Sequence, residues 1–295
     1  MMARQHVASG YAGYIATVST LGGTNPMWHN APHIAALEPM ATPIAILLAS
    51  VVCAAFAIWS DIDHPGSTIS KKLGIIGSIL SPLVRMFAFG HRGLTHTWVF
   101  VVLNGVGILL LSQLVSNLWG GIAARILVAV MLALSALLIT RLMLPGRTGK
   151  GNAGALVAAA LVALVALHPD AKNVSWMPLA VGGGVLIHCI GDSLTTGGTK
   201  FLFPFQIKIA LPLVGNTNSW IERLIAGPIF TFVNILFTLM VVVFPLFPAV
   251  GTAMNKASGI APDLGLSWTM VIVLGVTAFD FVTRVLAGKP EFGSH

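Results

Sequence analysis

Residues 42–66 read TPIAILLASVVCAAFAIWSDIDHPG. From Thr42 to Trp59 no residue carries a charge, and the stretch is long enough to cross the hydrocarbon core of a bilayer. Lipid offers no partner for a backbone N–H or C=O, so a stretch of this kind is a helix. It stops at Ser60. Asp61, Asp63 and His64 then follow before Pro65-Gly66 turn the chain. An apolar span ending in a tight group of ionisable residues decides the fold and points to the site.

The same pattern recurs along the chain. Apolar stretches at 98–118, 121–142, 152–168, 176–191, 224–248 and 265–287 are candidate spans, and 7–21 is a weaker eighth. Segments 7–21 and 176–191 are short for a crossing. Of 295 residues, 56% are hydrophobic and only 8% charged, against about 25% charged in soluble domains. Mean hydropathy is +0.89. These values exclude a soluble enzyme, a disordered tail, a coiled coil and a disulfide-stapled secreted module. The expected fold is all-α: a polytopic transmembrane helical bundle of seven or eight spans, forming one domain over 1–290. Trp59, Trp98, Trp119, Trp176, Trp220 and Trp268 fall near span ends, where tryptophan prefers the membrane interface. Cys53 and Cys189 sit inside apolar runs and form no disulfide framework. No cleavable signal peptide is evident, and Glu291-Phe292-Gly293-Ser294-His295 reads as a cloning linker running into a histidine tag.

The net charge of +7 does not point to nucleic acid, because the basic residues fall in loops between apolar spans. With eight crossings, thirteen of the sixteen Lys and Arg residues share one face, and Arg125, Lys172 and Lys256 take the other. The rich face is then cytoplasmic, with both termini inside.

Two loops on that face, 60–97 and 192–223, hold nearly all the chemistry. Asp61, Asp63 and His64 offer oxygen and nitrogen donors for a divalent ion. His91-Arg92-Gly93-Leu94-Thr95-His96-Thr97 opens the span at 98–118. Five residues apart, His91 and His96 stand about 140° apart on a helix, so a site using both needs His91 in the loop and His96 on the first helical turn. Arg92 suits a phosphate or carboxylate. His188 and Asp192 share a helical face at i and i+4, at the end of an apolar helix where ionisable groups are expensive and usually functional. In the run Ser193–Lys200, hydroxyls, glycine-freed amides and Lys200 are candidates to cradle an oxyanion, and Arg92, Thr95, Thr195 and Lys200 are the expected substrate contacts. Taken singly, each motif also reads as an ordinary polar stop or a packing hydrogen bond. Together His6, Asp61, Asp63, His64, His91, His96, His188 and Asp192 lie at the same ends of helices, on a face assigned from Lys and Arg alone. His29, His33 and His168 fall on the opposite face. Asp280 is expected to pair with Arg284 at i+4.

With these residues in hand, the chain resembles the YdjM-type family of bacterial inner-membrane proteins, described as metal-dependent hydrolases. The resemblance rests on His6, Asp61-Ile62-Asp63-His64-Pro65, His91-Arg92-Gly93-Leu94-Thr95-His96, His188 with Asp192, Leu194-Thr195, Gly197, Phe203-Pro204-Phe205, Gly215-Asn216 and Glu222-Arg223, over about 6–225. Thr97 departs from a common serine, and 120–168 reads as an added helical hairpin. The scattered His/Asp pattern is also similar, more distantly, to zinc phospholipases C and related nucleases.

The resemblance implies a multi-pass protein of the bacterial inner (plasma) membrane holding one to three divalent ions, zinc first, with manganese or magnesium as alternatives. Membrane lipids are the expected partners and no nucleic acid is expected. The expected reaction is hydrolysis of a phosphoester on a lipid or lipid-linked substrate at the cytoplasmic interface, with Asp63, Arg92 and His96 in catalytic roles. The rival class is a divalent-metal or proton-coupled transporter using the same cluster. Carriers set such groups near the bilayer midplane, whereas here they gather at one end.

Overall fold

The computed structural model describes residues 3–24, 34–143, 154, 156–161, 163, 175–216 and 219–248. Helix α1 spans Ala3–Leu21, α2 Pro43–Phe56, α3 Thr68–Lys72, α4 Ile75–Phe87, α5 Trp98–Met143, α6 Met177–Ser193 and α7 Glu222–Leu246. Among the described residues there is no strand. Two isolated bridges, Thr195–Gly215 and Thr199–Ile209, tie the loop after α6. The structure is therefore all-helical. Pro43–Asp63, Trp98–Met143 and Glu222–Leu246 are long and apolar enough to cross a membrane. Stretch 265–287, His29, His33, His168, Trp268, the Asp280–Arg284 pair and the tail 291–295 lie outside the described residues, and 152–168 is described only in part.

Local chemistry sets the ends of α2. Thr42 accepts a hydrogen bond from Ala45 N at 3.3 Å, and Pro43 begins the helix where its missing N–H costs nothing. After Phe56 the chain tightens, and a 3₁₀ turn over Trp59–Asp63 carries the carboxylates.

The core is built by α1, α2 and α6, with the second half of α5 and the middle of α7 laid against them. Close approach is possible because small residues face one another. A Cβ added at Gly184 would lie 2.5 Å from the carbonyl oxygen of Cys53 and 2.8 Å from Phe56 Cβ. This contact holds α6 against α2 one turn before both reach the polar end. Cys53 and Cys189 are free thiols, buried in apolar packing.

Helix α5 is two legs. Gly120, at φ 80° and ψ 174°, breaks the helical geometry between them. Both outer ends return to the same region: Trp98 N donates to Phe201 O at 3.0 Å, and Leu142 O accepts from Arg4 Nε at 3.0 Å. The chain therefore reverses at Gly120, as the separate stretches 98–118 and 121–142 lead one to expect. The tryptophans divide. Trp98, Trp119 and Trp220 are exposed, as an interfacial role requires, but Trp176 is fully buried in the main core. Its position at a span end says nothing about which neighbours cover it.

Candidate metal centre

The polar ends of α1, α2 and α6 converge, and the loop 88–97 closes over them. His188, one turn from the end of α6, directs Nδ1 to the carbonyl of Ala57 at 2.7 Å. A carbonyl only accepts, so Nδ1 carries the proton and Nε2 presents a lone pair. The 3₁₀ turn after α2 brings Asp61 Oδ1 to 3.7 Å from that Nε2. Asp192, one turn on from His188, places Oδ2 3.8 Å away. From α1, the His6 ring stacks on His188 at 4.0 Å between centroids, with Nε2 3.2 Å from Asp192 Oδ1.

His96 completes the group. It lies in a 3₁₀ turn, Leu94–His96, just ahead of α5 rather than on that helix's first turn. Its orientation follows from a chain of bonds. Asp63 is fully buried, and its two oxygens are engaged: Oδ1 with His91 Nδ1 at 2.8 Å, and Oδ2 with Arg92 N at 3.1 Å and Thr95 Oγ1 at 2.5 Å. Thr95 has one proton and gives it to that carboxylate. Its oxygen therefore accepts from His96 Nδ1 at 3.0 Å, and His96 Nε2 is a second lone pair.

The two Nε2 atoms face each other at 3.2 Å, with Asp61 Oδ1 and Asp192 Oδ2 3.6 and 3.7 Å from His96. In this tautomeric arrangement neither imidazole has a proton to offer the other. Two lone pairs and two carboxylates gathered in one space could hold a metal ion. Two overlapping groups have ligand atoms all within 4.8 Å of one another: His6–His188–Asp192 and Asp61–His96–His188. His188 belongs to both. Among the described residues Nδ1 of the buried His6 has no hydrogen-bond partner, while its Nε2 is paired with Asp192.

A protein-family model described as YdjM inner membrane protein matches residues 1–144 and 152–279. The chain belongs to the YdjM inner membrane protein family. No curated protein and no solved structure matches it. The match covers every residue of the two groups and runs past 225, where the motif resemblance stopped.

The remaining site residues of this YdjM family member form an outer layer. His91 is partly exposed, and its ring lies 4.8 Å from that of His64 and 5.7 Å from that of His96. His64 Nδ1 accepts from Gly66 N at 3.0 Å. Asp63 sits inside the protein but apart from the two groups, its oxygens turned to the 91–95 loop. Arg92, at a left-handed φ of 59°, bridges the layers. Its Nη2 lies 3.1 Å from Asp192 Oδ2, and its Nη1 donates to Gly198 O at 3.2 Å. A Cβ at Gly197 would run into Arg92 Nη1, so a larger residue there would have to displace the guanidinium.

Beside this layer lies a cavity of about 350 Å³, lined among others by His91, Arg92, Gly197, Gly198, Lys200 and Lys208. Arg92 and Lys200 thus share one pocket, as the sequence suggested. Thr95 and Thr195 do not face it: Thr95 is committed to Asp63 and His96, and Thr195 Oγ1 donates to Asp192 O at 2.7 Å. Each hydroxyl is bonded to a member of the two groups, Thr95 to His96 and Thr195 to Asp192. Sequence reasoning missed Lys208, which reaches back to Thr196 O at 3.2 Å. Only the bridge between Thr199 and Ile209 brings it there, and no local motif announces that pairing.

Proposed function

We propose that the protein is a membrane-embedded, metal-dependent hydrolase that cleaves a phosphoester in a lipid or lipid-linked substrate at the cytoplasmic interface. This reading includes eight spans with both termini cytoplasmic, or seven with the N-terminus outside when 7–21 does not cross. The observation that carries it is the pair of His96 and His188 lone pairs facing each other between Asp61 and Asp192. His6, Asp61, His96, His188 and Asp192 would hold the ion or ions. Their mixed imidazole and carboxylate donors suit zinc first, with manganese or magnesium as alternatives. When bound, such an ion supplies Lewis-acid activation of water and of a phosphoryl oxygen.

The chain's own groups divide the remaining work. Asp63 holds His91 by Nδ1, and His91, which lines the cavity, would take or return a proton through Nε2. Arg92, Lys200 and Lys208 meet a phosphate group entering the cavity. Gly197 and Gly198 leave room for it. Thr95 and Thr195 keep His96 and Asp192 aimed.

Hydrolysis of phospholipid and prenyl-phosphate substrates in mixed micelles, followed as release of the headgroup fragment from the diester and of phosphate from the monoester, tests this reading. Metal-dependent turnover that collapses in His91→Gln, with metal content unchanged, is the expected result. Metal content without turnover, together with metal flux into proteoliposomes, would replace the hydrolase with a transporter.

A further inference from the structure

Helix α4 presents three different faces. Gly77 and Ser81 are buried, and Leu80 and Val84 pack on the cluster around Val7, Ile58, Ile62 and Ile69. At about 100° per residue, Ile75, Ile79, Leu83 and Met86 form a second row roughly 140° around the helix from the first. Every member is exposed, from 47% at Leu83 to 81% at Ile75. Ser78 and Arg85 make a third, polar face. One row packs on protein, one is apolar and uncovered among the described residues, and one is polar. A helix in the plane of a membrane interface needs those three environments.

Charge and position point to the same occupant. Lys71 and Lys72 close α3, just ahead of α4, and both are exposed, as is Arg85. The far end of α4 is pinned beside the start of α5, since Leu94 N donates to Ala88 O at 2.9 Å. There Trp98 is 44% exposed at the helix mouth, and the first leg of α5 turns Leu103, Leu110 and Leu114 outward. The loop after α4 thus leads directly into a helix long and apolar enough to cross the bilayer.

We propose that α4 lies in the plane of the membrane interface with its Ile75–Met86 row among the acyl chains, and that Lys71, Lys72 and Arg85 bind the headgroups of anionic phospholipids. This inference does not depend on the metal centre. It is tested on the full chain in nanodiscs of phosphatidylcholine, with and without phosphatidylglycerol. Environment-sensitive labels are attached through Ile79→Cys or, on the polar face, Ser78→Cys. Unsubstituted protein, whose cysteines are buried, gives the background.

The expected result is a blue-shifted Ile79 label quenched by doxyl lipid, and a Ser78 label quenched by aqueous iodide. Retention of phosphatidylglycerol through purification should fall about fivefold for each basic residue neutralised in Lys71→Gln, Lys72→Gln and Arg85→Gln. Equal iodide quenching at both positions would overturn the proposal. So would cross-linking from Ile79→Cys to a second copy or to segment 265–287, which would mean that protein covers the row. Unchanged phosphatidylglycerol retention in the triple variant would overturn the headgroup assignment.

Discussion

The inner and outer layers of the polar cluster use the same residue types to opposite ends. His96 and His188 are fully buried, and each spends Nδ1 on an acceptor inside the protein, so the opposite nitrogens meet as bare lone pairs. His91 makes a similar bond to Asp63, but its side chain is 32% exposed and lines a cavity. The difference is access to water. A buried lone pair beside a carboxylate suits a cation, whereas an accessible one can exchange a proton. On the proposed reading, burial rather than residue identity separates ion holding from proton transfer.

The sharpest way to break this contrast is to remove the residue common to both inner groups. His188→Ala should abolish stoichiometric metal binding, because each group loses a donor; elemental analysis checks this. Metal retained at wild-type level would dissolve the distinction between layers. The link between layers comes next. Asp63→Asn keeps the shape but weakens the acceptor that fixes Thr95 and, through it, His96. Loss of such an orienting partner costs about 10- to 100-fold in metal affinity, measurable by competition with a chelator. Unchanged affinity would show that His96 is aimed by something else.

Smaller effects sharpen the frame around the layers. Stripping the metal should cost about 3 kcal/mol of stability relative to protein at hundredfold excess over Kd, seen as a lower Tm in detergent that recovers on adding metal back. Gly184→Ala should destabilise by about 1–3 kcal/mol, since the added Cβ meets backbone at Cys53, and proteolysis or thermal unfolding would register it. Smallest is Lys200→Gln at the cavity rim. It should raise KM for an anionic substrate by about threefold to tenfold and leave metal content alone.

Much of this was legible in the sequence. Hydropathy alone gives the helical class, since apolar runs in lipid have one backbone solution. The break at Gly120 separates 98–118 from 121–142 where the sequence does. His6 gained weight only from topology, and it does stack on His188. What could not be read was direction. Asp61 and Asp63 are two residues apart in one 3₁₀ turn, yet one faces the ion groups and the other the 91–95 loop. Thr95 and Thr195 read as substrate contacts because hydroxyls beside glycine suggest an oxyanion cradle. Both point inward because carboxylate and carbonyl acceptors lie closer than the cavity. Lys208 and the buried ring of Trp176 depend on long-range pairing that local patterns do not encode.

The central claim is that the facing His96 and His188 lone pairs make a cation site. Isothermal titration of metal-free, tag-free protein with zinc, beside His188→Ala, tests it most directly. Saturable binding of one to three ions per chain, absent in the variant, is the expected result. No binding by the wild-type protein, or identical isotherms for the two, would contradict it.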